Sequence, residues 1–93
     1  MMTDKEITEI IATRVMGYVT NGNCDLELFN PLKDDSHCMM AWDEFSNGRD
    51  VSLTSQWLAS GKKTWKAWHG LSGAVEDENR RRAMCECMVR AVV

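Results

Sequence analysis

Between Asp50 and Trp68 the residues alternate in two short runs parted by Ser60-Gly61-Lys62. In DVSLTSQWL, Val51, Leu53, Ser55 and Trp57 share one face and Ser52, Thr54, Gln56 and Leu58 the other. In TWKAW, Trp65 and Ala67 alternate with Lys66. A period of two with a glycine turn between the runs specifies a hairpin of two antiparallel strands, Asp50–Leu58 and Thr64–Trp68. A lone two-stranded hairpin is marginal in water, so its apolar face must find cover elsewhere in the chain, and the flanking segments supply it.

The N-terminal segment is helical. Thr3 and Glu6 form a capping box, and Ile7, Ile10, Ile11, Val15 and Tyr18 follow at helical spacing, with Gly17 a weak helix residue at the end of the pattern. Thr20-Asn21-Gly22-Asn23 reads as a turn, and CDLELF, Cys24 to Phe29, as a short half-buried strand closed by Asn30-Pro31. A second helix starts at Asp34 or Asp35, carries Cys38, Ala41, Trp42 and Phe45 on one face with Met39 beside them, and stops at Asn47-Gly48. After the hairpin, Gly70 to Gly73 ends the sheet. A third helix then runs from about Asp77 to Val92, with Glu76, Asp77 and Glu78 as cap and first turn. Its apolar stripe is Ala83, Met84, Cys87, Met88, Ala91 and Val92, bordered by Arg80, while Cys85 falls off it. The expectation is a single small α+β domain over residues 1–93. It comprises a small mixed or antiparallel sheet packed with three helices, in the order helix-strand-helix-strand-strand-helix.

At 93 residues the chain is long enough for one modest core. No apolar run is long enough to span a membrane, no secretory signal is visible, and four cysteines in a reducing cytoplasm are expected to be free thiols. Charge is unevenly spread: residues 1–47 hold nine acids against three bases, and residues 48–93 hold eight bases against five acids. Such a split either steers a partner or folds back so that one half neutralises the other.

Chemistry-bearing motifs are few. Cys85 and Cys87, two apart on a helix, point in different directions, so they neither share an ion nor close a relaxed disulfide. Zinc would need His37, Cys38 or His69 brought in from elsewhere. His37 has Asp34 and Asp35 nearby, but such neighbours at a helix start are capping groups more often than a catalytic dyad. There is no phosphate-binding glycine loop, nucleophile elbow or metalloprotease motif. No enzymatic activity and no cofactor are therefore expected. Two binding readings stand. In the first, Glu27, Asp34, Asp35, Asp43 and Glu44 offer acidic contacts to a protein partner, with Trp57, Trp65 and Trp68 as an aromatic patch. In the alternative, Lys62, Lys63 and Lys66 of the hairpin join Arg81 and Arg82 in a phosphate-binding surface for nucleic acid. Either admits a homodimer.

IIATRVMGY, FNPLKDDSHCMMAW and RRRAMCECMVRAVV together resemble the phage ABA sandwich domain family. Met16-Gly17-Tyr18, Asn30-Pro31-Leu32 and the run from Ala83-Met84-Cys85 to Ala91 match that family's helix end, its Asn-Pro-Leu step and its closing helix. The segment Asp77-Glu78-Asn79-Arg80-Arg81 departs from the T-P-x-E-A usual before that helix. The resemblance implies a helix-sheet-helix arrangement and a phage or prophage origin. It brings no catalytic residues. By analogy with small acidic phage proteins, it implies a module that binds a host or phage protein in the host cytoplasm, with inhibition of an antiviral defence as one form.

Overall fold

A computed structural model describes residues 2–18, 28–70 and 73–93. Helix α1, Asp4–Ile10, begins at the Thr3/Glu6 capping box and continues into a π-helical turn, Ile11–Val15. Its wider winding is marked by the Met16 N–H donating to the Ile11 carbonyl at 3.0 Å. The helix ends at Gly17, whose φ of +73° is one that L side chains rarely adopt. Helix α2, Asp35–Ser46, is capped by Asp34, which accepts the His37 N–H, and buries Cys38, Ala41, Trp42 and Phe45. Strands β1 (Val51–Trp57), β2 (Lys63–His69) and β3 (Gly73–Asp77) form an antiparallel sheet in the order β1-β2-β3. Helix α3, Arg80–Val92, follows.

The element order among the described residues is therefore helix-helix-strand-strand-strand-helix, which corrects the expected helix-strand-helix-strand-strand-helix. Two differences make the correction. Of the strand expected at Cys24 to Phe29, Cys24–Glu27 lie outside the described residues, and Leu28 and Phe29 are not in a strand. The third strand instead comes from Gly73–Asp77, where a turn and a helix start were expected. Val75 pairs with Ala67 and is buried, while Ala74 and Glu76 point the other way and are exposed. The acids that resemble a negative first helical turn belong to the strand and the bend after it. Asp77 accepts the Asn79 N–H at 2.8 Å, and the Asn79 side chain caps α3 by accepting from the Arg82 N–H at 3.2 Å.

Register puts Val51, Leu53, Ser55 and Trp57 of β1 on one face with His69, Ala67, Trp65 and Lys63 of β2. This face meets the helices: Ala67, Val75 and His69 are buried, and the His69 ring lies 5.4 Å from that of Phe45. Ser52, Thr54, Gln56, Lys66 and Glu76 on the opposite face are exposed, and no helix of the described residues covers them.

Helix α3 is the hub. It packs on β2 and β3 on one side and on α1, the π turn and α2 on the other. Ala83, Met84, Cys85, Cys87, Met88 and Val89 are consequently all buried. A helix enclosed from two sides buries a broad arc rather than a stripe. That is why Cys85, off the stripe by periodicity, is 0% exposed.

Candidate functional site

The arginines and acids singled out in the sequence largely meet each other. Asp35, in the first turn of α2, receives the Arg80 guanidinium at 3.1 Å and that of Arg81 at 2.8 Å. The hydrogen bonds from Arg81 and then Arg80 hold the Asp35 carboxyl below its ordinary range, and the same bond raises Arg81. Arg81 also donates through Nε to the Leu32 carbonyl at 3.1 Å, fixing the turn that leads into α2. Arg82 points elsewhere, to Asp4 of α1 and to Glu86, each at 3.2 Å. One splayed arginine run therefore clamps two helices to α3. The charge asymmetry folds back on itself here instead of being offered outward.

The hairpin bases are also dispersed. Lys62 pairs with Glu78 at 3.4 Å. Lys63 lies opposite Trp57 in register, and its ammonium stands 4.7 Å from the Trp65 ring and 5.8 Å from that of Trp57. Lys66 sits on the other face, in register with Thr54 and Glu76. Lys62, Lys63, Lys66, Arg81 and Arg82 do not form one phosphate-facing surface.

The tryptophans divide as well. Trp57 and Trp65 share a face but are diagonal, and Ser55 is the residue opposite Trp65. Trp65 is half-buried beneath Lys63 and Arg80, the latter 5.6 Å from its ring. Trp57 is 72% exposed. Trp68 projects to the far face, so Trp57, Trp65 and Trp68 are not a single aromatic patch.

Of the acidic candidates, Glu27 lies outside the described residues. Asp34 is occupied as the α2 cap. His37 Nδ1 accepts the Asn30 N–H at 3.0 Å and so serves the turn before α2, with Asp34 4.0 Å away. Asp43 and Glu44 differ: both are exposed on the outer face of α2 and have no ion-pair partner among the described residues. Beside them are Met39 and Met40, 39% and 44% exposed. The sequence shows this surface only as positions off the Cys38-Ala41-Trp42-Phe45 stripe.

Cys38, Cys85 and Cys87 are buried, and no disulfide joins them to one another. Cys38 donates to Met84 Sδ at 3.7 Å, and its hydrogen bond with Cys85, together with burial, pushes the Cys85 thiol far up. Among the described residues no group of three or more His, Cys, Asp or Glu is placed to hold a metal, and no helix is long and apolar enough to cross a membrane. An open cleft of about 340 Å3 is lined by Gly48, Arg49, Asp50, His69 and Gly70. Its Arg49 is spent on Phe45, donating to the carbonyl at 2.9 Å with the guanidinium 5.0 Å from the ring. No family model, curated protein or solved structure matches the chain.

Proposed function

We propose that the protein is a non-enzymatic protein-interaction module whose contact surface is the outer face of α2. The observation that carries this reading is the juxtaposition there of Met39 and Met40, both partly exposed, with the carboxylates of Asp43 and Glu44, which have no ion-pair partner among the described residues. Methionine is an adaptable apolar contact, and carboxylates beside it select a partner surface with basic and apolar groups. Other acids are committed to the fold: Asp4 and Asp35 hold arginines, and Asp34 caps a helix. The resemblance to phage ABA sandwich domains extends the proposal to a host or phage protein as partner, met in the host cytoplasm, with inhibition of an antiviral defence as the specific form.

The test is capture of partner from nuclease-treated host lysate, repeated with Asp43→Lys/Glu44→Lys and with Met39→Ser/Met40→Ser. Loss of a stoichiometric protein with both variants is expected. Capture that both variants leave unchanged removes α2 from the interface. One observation favours the nucleic-acid alternative: the Lys63 ammonium between Trp57 and Trp65, an aromatic and cationic pairing on which a base could stack. An anisotropy titration with single-stranded oligonucleotide should then show affinity that falls with salt and with Trp57→Ala. No binding at low salt ends that reading.

A further inference from the structure

The two edges of the sheet are built differently. β3 is five residues long, starts at a glycine and carries Glu76 and Asp77, features that discourage pairing with another chain. β1 is seven residues long, VSLTSQW, with no charge and no proline, and its register with β2 runs without a bulge. Among the described residues it has none of the devices that usually blunt an edge strand.

The backbone parity of β1 is fixed by its ends. The Asp50 carbonyl accepts from the Gly70 N–H at 3.0 Å, and the Leu58 N–H donates to the Lys62 carbonyl at 2.7 Å. Even-numbered residues therefore turn to β2, and Val51, Leu53, Ser55 and Trp57 aim their N–H and C=O groups outward. Among the described residues nothing pairs with that edge. The side chains of the same residues lie on the helix-covered face. Val51 and Leu53 are half-buried against the core, and Trp57 is 72% exposed.

We infer that β1 is a self-association edge, and that a second copy of this chain pairs with it, β1 to β1, antiparallel about a two-fold axis at Thr54. The strand is self-complementary in that arrangement. Thr54 opposes Thr54, and Leu53 opposes Ser55 of the second copy. Val51 opposes Trp57 of the second copy, so each exposed indole covers the half-buried valine at the other end of the seam. Outward N–H and C=O groups meet their counterparts in hydrogen-bonded pairs, and no like charges face each other because the strand has none. A tryptophan buries roughly 150–250 Å2, so two of them supply only part of the ~1,000 Å2 that a stable interface needs. The remainder comes from the strand edges, which makes this a concentration-dependent dimer rather than a permanent one. The surface is separate from the outer face of α2, so either proposal can fail without the other.

Sedimentation equilibrium on the full chain across a wide concentration range tests the inference, with three variants. Thr54 is exposed, so Thr54→Lys is accommodated in the monomer, where it adds one like-charge contact to Lys66, and it also sets two ammonium groups face to face at the axis, which should raise the dimer Kd about fivefold. Ser55→Pro removes an outward N–H from each copy while sparing the bonds to β2, and should raise Kd about thirtyfold with an unchanged circular dichroism spectrum. Thr54→Cys brings two thiols across a non-hydrogen-bonded pair with Cα atoms about 4.5 Å apart, within disulfide reach. With oxidised glutathione it should give a covalent dimer that the unmodified chain does not. A monomer at every concentration overturns the proposal. So does a dimer indifferent to Thr54→Lys and Ser55→Pro whose Thr54→Cys form stays uncrosslinked, because the copies then meet elsewhere.

Discussion

The burial of Cys85 separates the structure most sharply from a stripe-based reading of α3. Periodicity places this residue off the apolar stripe, whereas packing from two sides leaves it 0% exposed. Cys85→Ala removes one buried heavy atom, comparable to Ile→Val, and should cost about 0.5–1.5 kcal/mol. Cys85→Asp has a similar volume but buries a carboxyl group where Arg81 and Arg82 are already paired with Asp35, Asp4 and Glu86, and a buried charge without a partner of its own costs several kcal/mol. For a domain of 93 residues the whole stability is roughly 5–14 kcal/mol. Each kcal/mol should lower Tm by roughly 4–8 °C at this size. Cys85→Ala should therefore melt roughly 2–12 °C below the parent, and Cys85→Asp should melt at least about 12 °C below it or fail to fold. Exposed Arg90 is the control, and Arg90→Gln should stay within about 0.5 kcal/mol. Thermal melts followed by far-UV circular dichroism, with urea titrations to check that the m-value is unchanged, supply the numbers. A Cys85→Asp variant melting within 2–3 °C of the parent would show that this side of α3 faces water, and the hub assignment would fall.

Two further outcomes test the ends of α3 and α2. Asn79→Ala should lower stability by about 1 kcal/mol, and Asn79→Asp should restore it, since either side chain accepts from the Arg82 N–H. An unchanged Tm in Asn79→Ala would return the helix start to the Asp77 region. Asp35 is held below its unfolded value of about 3.9, so its contribution is fully present at neutral pH and is lost as pH falls through the lower folded value. The Tm gap between the parent and Asp35→Asn should accordingly be present at pH 7 and shrink below about pH 4. A gap constant from pH 7 to pH 2 would mean that the carboxylate charge is not what Arg80 and Arg81 recognise.

What could be read from the sequence was local. The capping box at Thr3 and Glu6, the stripe of α2 and the alternation on either side of Ser60-Gly61-Lys62 each specify an element within a few neighbouring residues, and all three recur in the structure. β3 escaped because five residues with one buried side chain, Val75, give almost no period, and because its acids mimic a helix cap. Cys85 escaped because burial on two sides is a property of the packed molecule. The arginine run misled for a related reason. Asp35 lies 45 residues from Arg80 and 46 from Arg81, and Asp4 lies 78 from Arg82, so nothing local signals that the carboxylates come to meet them. The candidate interface on α2 shows in the sequence only through Asp43 and Glu44. The exposure of Met39 and Met40 depends on where the neighbouring helix sits.

The central position of α3 also has a consequence for the order in which this molecule can assemble. Of the described elements it is the last to be synthesised, yet α1, the π turn, α2, β2 and β3 all lean on it. Until residues 80–92 have left the ribosome, Ile7 of α1, Ile11 of the π turn, Trp42 and Phe45 of α2 and Ala67 and Val75 of the sheet lack the surface that closes over them. The hairpin can form early because its contacts are local, but the remaining elements must wait as sticky fragments. Folding should then be a single late event, with residues 1–78 alone remaining unfolded and prone to aggregate.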